Sequence, residues 1–214
     1  MEITKNHGEN ALHYKNREKS IKELEEEIIN CKKCGLYRSR TKPLTCIGNL
    51  DADIMLIGEA PGYHEDLTGK PFIGEAGKLL DKLLASISLE RKDTYITSIV
   101  KCRPPSNKDP TPEQINACKS YLDRQLSIIH PKIIIPLGRF ACAFIFEKYG
   151  LEKERISQAH GKVYTKESLL GSIKIVPQYH PSVAAYNPSM LDTLLNDFKT
   201  IKLCINRHTS PKTI

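Results

Sequence analysis

Four short apolar runs, each separated from the next by a stretch of helical periodicity, constrain the fold of this chain more than any other feature. They are 52–58 (ADIMLIG), 94–102 (TYITSIVKC), 132–138 (KIIIPLG) and 172–180 (SIKIVPQYH). Runs this apolar read as strands buried on both faces, and strands that alternate with helices imply a parallel sheet covered on both sides. Between them, Leu79, Leu80, Leu83 and Leu84 mark a helical face within 74–89, and 139–149 is a helix stopped by Gly150. Thr111-Pro112-Glu113-Gln114 is a helix start with Thr as N-cap, Pro at the first helical position and Gln closing the box. The segment 189–205 is amphipathic, and 161–165 is expected to add an antiparallel edge hairpin. An earlier helix is expected to begin at Ser20, where Ser20-x-x-Glu23 precedes Ile21, Leu24 and Ile28, and to end near Cys31.

At 214 residues the chain suits one domain, expected over 20–206 between a mobile tail at 1–19 and a C-terminal tail at 207–214. Lys or Asp interrupts every apolar stretch well short of the ~20 residues a spanning helix requires, so no membrane segment is expected. The polar opening MEITKNHGENALHYKNREK has no apolar signal run, and a cytoplasmic, nucleoid-associated protein is expected. A formal charge of +7 favours polyanionic partners such as DNA or RNA. Seven cysteines in a chain without an export signal point to metal binding, catalysis or burial rather than a disulfide framework.

In a parallel sheet, ligands bind beyond the carboxyl ends of the strands. The first strand runs into Gly58-Glu59-Ala60-Pro61-Gly62, followed by Glu65 and Asp66. Its glycines let the backbone approach a ligand and present N–H groups, although an ordinary strand-to-helix turn reads the same way. No Gly-Lys-Ser/Thr follows, which disfavours an NTPase. The last strand ends in Tyr179-His180-Pro181-Ser182, where a histidine is fixed by the following proline and a hydroxyl stands within reach of a phosphate. Cys31-x-x-Cys34 suits one metal. Cys102 and Cys118 complete a four-thiolate set for zinc or a 4Fe-4S cluster, or are buried small residues. Cys46, Cys142 and Cys204 read as structural.

Taken together these segments resemble the family 4 uracil-DNA glycosylases, the iron-sulfur branch of the uracil-DNA glycosylase superfamily. The resemblance runs from Cys31 to about Lys202, through Cys31-x-x-Cys34-x-Leu36, GEAPG at 58–62, Glu65-Asp66, Thr68-Gly-Lys-Pro-Phe72-Ile-Gly74, Val100-Lys-Cys-Arg-Pro-Pro105, Cys118 and His180-Pro-Ser182. It implies a three-layer α/β/α sandwich around a short, mostly parallel sheet. It also implies a monofunctional enzyme that flips uracil out of DNA, hydrolyses its N-glycosidic bond and leaves an abasic site, acting as a monomer on single- or double-stranded DNA.

By the same resemblance Cys31, Cys34, Cys102 and Cys118 hold a 4Fe-4S cluster, which pins the N-terminal segment to the 102–118 loop rather than doing redox chemistry. Gly58, Ala60 and Gly62 form the uracil loop, Phe72 stacks on the base, Glu65 crowds its C5 position, and His180 faces O2. Glu59 is the carboxylate expected to orient water or stabilise the sugar cation. Lys101, Arg103 and Lys108 are expected to present charge to phosphate, with Ser182 and Tyr186 as further DNA contacts. Two departures stand out. Ser98 replaces the family's Asn, and a hydroxyl cannot span O4 and N3–H as an amide does. Tyr186 stands where many relatives carry Arg. The Ser98 departure motivates a second reading, a glycosylase that also accepts hypoxanthine or xanthine; a non-catalytic iron-sulfur protein that senses DNA damage is a third.

Overall fold

The computed structural model describes residues 3–168 and 171–209. In chain order its elements are α1 (Ile3–Ile29), β1 (Ile47–Gly48), β2 (Ile54–Gly58), α2 (Tyr63–Thr68), α3 (Glu75–Ser86), β3 (Thr94–Ser98) and α4 (Pro112–Ile129). β4 (Ile133–Pro136), α5 (Arg139–Tyr149), α6 (Ile156–Ala159), β5 (Tyr164–Ser168), β6 (Gly171–Ile175), α7 (Val183–Tyr186) and α8 (Met190–Thr209) follow. The strands form one sheet in the order β1-β3-β2-β4-β6-β5, parallel through its four central members and antiparallel at both edges. The fold is α/β, consistent with a three-layer sandwich.

Period-two alternation along the central strands divides the core. Met55, Ile57, Tyr95 and Ile134 face a layer with Leu24 and Ile28 of α1, Leu122 and Leu126 of α4, and Ile145 and Phe146 of α5. Ile54, Leu56, Ile96, Ile133 and Ile135 face the opposite way, onto Leu80, Leu83 and Leu84 of α3 and Leu194, Phe198 and Ile201 of α8. Gly58 pairs with Ser98, Ile57 with Pro136, and Leu137 bridges to Gln178. The four central strands therefore end at one level, and the loops that follow them are neighbours.

The capping box expected at Thr111 forms: Thr111 Oγ1 accepts from the Gln114 N–H at 3.3 Å, and Gln114 Oε1 accepts from the Thr111 N–H at 3.0 Å. The one expected at Ser20 does not. α1 is already helical from Ile3, so Ser20 lies inside it, and the segment expected as a tail belongs mostly to this helix. Glu18–Lys22 and Lys19–Glu23 pairs continue the helical spacing across Ser20, and Arg17 reaches Asp51 at 2.6 Å. At the other end α8 extends to Thr209; residues 210–214 of the expected C-terminal tail lie outside the described residues. Among the described residues, no helix is long and apolar enough to cross a membrane.

Burial makes a simple stability contrast. Phe146→Ala should destabilise the protein by about 3–5 kcal/mol in urea denaturation, because its ring is fully buried between α5 and the sheet. Tyr186→Ala, at a side chain that is 90% exposed, should stay within about 0.5 kcal/mol of the parent.

Candidate active site

A cavity of about 790 Å³ opens at the carboxyl ends of the central strands, within the size range of small-ligand sites. It is lined by Glu59, Ala60, Gly62 and Tyr63 after β2, Ser98 at the end of β3, Gly138 and Arg139 after β4, and Tyr179, His180 and Ser182 beyond β6. Glu65 and Phe72 complete the wall, with Lys108 and Tyr186 at the rim. Gly58 lies underneath: a Cβ there would sit 2.8 Å from the Phe72 ring and 3.2 Å from Ser98 Oγ, so only glycine lets those two side chains approach.

His180 is the most constrained member. Gly138, with φ at +93°, brings its backbone so close that a Cβ would lie 3.2 Å from that of His180. The Ser182 backbone N–H donates to His180 Nδ1 at 3.3 Å, and Ser182 Oγ lies 2.7 Å from the same nitrogen. An N–H can only donate, so Nδ1 is an acceptor and a neutral ring carries its proton on Nε2. Burial lowers the His180 pKa to about 4 against a smaller opposing pull from Glu65, so the ring is neutral at physiological pH. Its face stacks on Phe72, with centroids 5.6 Å apart.

Phe72 is held in a backbone conformation that side-chain-bearing residues seldom adopt, with φ at +53°. Two groups secure it. Glu65 Oε1 accepts from the Ile73 and Gly74 N–H groups at 2.9 and 2.8 Å, and Arg91 donates to the Phe72, Pro71 and Gly77 carbonyls. Glu65 thus lines the cavity and also anchors the segment that carries the ring. Arg91 had no local signal in the sequence, because its partners, Asp81 and the three carbonyls, lie 10 to 20 residues away.

Glu59 sits half-buried in the same wall. Burial pushes its carboxyl up to about 7, with Asp109 adding to the rise and Arg139 opposing it. Arg139 and Asp109 form an ion pair at the rim. Arg139 opens α5 just beyond the end of β4, after Leu137 and Gly138, a position that the strand-end rule marks although composition does not.

The expected DNA contacts divide. Arg103 is half-buried near the rim, its Nε donating to Asn107 Oδ1 at 2.7 Å and its guanidinium 5.1 Å above the Tyr63 ring. Lys108 and Tyr186 are exposed. The Ser182 hydroxyl is engaged with His180. Lys101, expected to face phosphate, is instead 1% exposed. Its ammonium is drawn inward by three oxygens, Ser98 O at 2.6 Å and Thr97 Oγ1 and Gln125 Oε1 at 2.7 Å.

Cys31, Cys34, Cys102 and Cys118 line one small cavity together with Lys101, Arg40 and Tyr121. Arg40 Nη1 donates to Cys102 Sγ at 3.1 Å. No three His, Cys, Asp or Glu side chains among the described residues converge as ligands of one metal ion. Burial raises Cys102 and pushes Cys118 up to about 11, the latter opposed by a hydrogen bond from the Lys101 backbone. Cys142 and Cys204 are buried in the core, and Cys46 donates to Glu25 at 3.2 Å.

The sequence profile of the Uracil DNA glycosylase superfamily matches residues 46–202. A type-4 uracil-DNA glycosylase of Archaeoglobus fulgidus is 47% identical over 186 residues, 86% of this chain and 94% of that protein. One from Thermotoga maritima is 38% identical over 89% of this chain and 97% of its own length. A type-5 uracil-DNA glycosylase of Thermus thermophilus is 32% identical over 73% of this chain and 77% of its own length. The chain belongs to the uracil-DNA glycosylase superfamily and, within it, to the type-4 uracil-DNA glycosylases.

The raised carboxyl of Glu59 carries a stability signature. Its proton is held more tightly in the native state, so its contribution to stability falls as pH rises from the ordinary value of 4.5 towards about 7 and is level outside that window. Glu59→Gln should therefore unfold at higher urea than the parent at pH 8 and at the same urea at pH 4. Equal shifts at both pH values would place Glu59 in solvent.

Proposed function

We propose that this protein excises uracil from DNA by hydrolysing the bond between N1 of the base and C1′ of deoxyribose, releasing free uracil and leaving an abasic site. The observation that carries the reading is a neutral histidine whose one ring N–H remains available in a cavity at the strand ends. The base must leave the helix to enter, which costs least at a U·G mismatch or in a single strand. Tyr186 and Lys108, both exposed and lining the cavity, would contact the duplex, as would Arg103 above the Tyr63 ring.

As the glycosidic bond lengthens, negative charge gathers on the base and positive charge on the sugar. His180 Nε2–H donates to O2 of the departing base, and the N–H groups of the 58–62 loop add dipoles of the same sense. A neutral donor suits this task because it loses no proton to the ground-state base and strengthens only as O2 becomes anionic. Phe72 supplies a face for the ring, and Glu65 holds Phe72 in place. Glu59, balanced near neutrality, orients the water that attacks C1′ in its ionised form. Ser98 Oγ reads the base edge with one hydroxyl that both donates and accepts. That economy favours a second reading in which hypoxanthine and xanthine are also accepted.

We also propose that Cys31, Cys34, Cys102 and Cys118 hold a 4Fe-4S cluster. These four line one common cavity, a four-thiolate set of the kind that holds such a cluster. Lys101 supports the same reading, since a buried ammonium whose three partners are all neutral oxygens calls for negative charge nearby. When bound, the cluster supplies a cross-link between the end of α1 and the 102–118 segment. The protein would act as a monomer in the cytoplasm, on the nucleoid.

The test is single-turnover excision from an oligonucleotide with one uracil, followed by alkaline cleavage of the abasic site. Uracil release is expected, and release of hypoxanthine or xanthine in the same assay would establish the second reading. His180→Ala should lower the rate about 10²–10³-fold with little change in DNA affinity. Equal losses in rate and affinity would make His180 a docking residue instead.

A further inference from the structure

Ser98 and Cys102 are separated by three residues, yet one lines the base cavity and the other the cysteine cavity. The turn between them continues the pairing of β2 and β3, with Ile99 and Val100 donating to Gly58 O and Glu59 O at 3.0 Å. Lys101 lies between the two cavities and belongs to the lining of the cysteine site. Its Nζ reaches back to Ser98 O, and all three of its N–H groups are used. Gln125, the third acceptor, stands two turns beyond Cys118 on α4, and its Oε1 also accepts from Thr97 at 3.1 Å. Strand end, cysteine segment and α4 therefore meet at one buried positive charge.

We infer that Lys101 is a positioning residue that couples the cluster to the base pocket, its ammonium attracted by the thiolates and fixing the Ser98 carbonyl, and with it the hydroxyl that faces the base. The inference rests on the proposed cluster. Four thiolates around an iron-sulfur core leave net negative charge; Lys33, Arg40 and Lys101 are the cations in that cavity wall, and of the three Lys101 is the buried one. A neutral side chain at 101 would leave the cluster uncompensated on this side and the end of β3 without its cross-brace. The role differs from plain packing because it is electrostatic at one end and geometric at the other.

The test compares wild type, Lys101→Met and Lys101→Arg, all purified anaerobically. The measurements are iron per chain, the midpoint potential of the cluster, and single-turnover excision with DNA affinity measured in parallel. Lys101→Met should keep iron, shift the potential downward because a stabilising positive charge is lost, and slow excision about 10–100-fold at unchanged affinity. Lys101→Arg should keep the wild-type potential. If Lys101→Met yields no soluble holoenzyme, Gln125→Leu takes its place. It keeps the charge and removes one acceptor, and should retain iron and a near wild-type potential with slower excision. Wild-type potential and rate in an iron-replete Lys101→Met, or a wild-type rate in Gln125→Leu where that replaces it, would overturn the inference, as would a shifted potential with an unchanged rate. Wild-type protein without iron would instead refute the cluster itself.

Discussion

The parallel register of β2 with β3 and β4 is the constraint on which the rest depends. Pairing Gly58 with Ser98 and Ile57 with Pro136 brings the loops after three strands to one edge of the sheet, and the bridge from Leu137 to Gln178 adds the fourth. A shift of one residue in any of these pairs would turn the strand's side chains to the opposite face and separate Ser98 from Phe72. The apolar residues of β2 are buried throughout, between matched apolar sets on the two faces of the sheet. Function is thus placed by the same burial that makes the sheet.

Burial also sets the chemistry. His180 and Glu59 share one wall, and desolvation is the largest influence on both, but it acts in opposite directions on an imidazole and a carboxyl. The histidine is kept neutral and the acid is brought close to neutrality. The proposed roles use these two states, a neutral donor to the base and a carboxylate for the water. Gly58 and Gly138 contribute by having no side chain, since each allows a functional ring to approach the backbone.

Much of this was legible in the sequence, for a physical reason: buried parallel strands are continuous apolar runs, and their carboxyl ends mark the site. The segments around β2, β3, β4 and β6, the Thr111 cap and the loops bearing Glu59 and His180 follow directly. Other features rest on partners remote in sequence. The start of α1 was hidden because Ser-x-x-Glu inside a longer helix looks identical to one at its beginning. β1 is two residues long, too short for any period to show. Lys101 reads as a surface charge until Gln125, 24 residues away, is seen to accept from it. The grip of Arg91 on the Phe72 carbonyl and the engagement of Ser182 with His180 Nδ1 likewise appear only once the chain is folded.

The central claim is that the cavity presents a neutral His180 with its proton on Nε2. It is tested most directly by following the ¹⁵N imidazole resonances of His180 through a pH titration of the folded protein. The account predicts a single neutral Nε2–H tautomer at neutral pH and protonation only near pH 4. A ring protonated on Nδ1, or one that titrates near the ordinary value of 6.5, would contradict it.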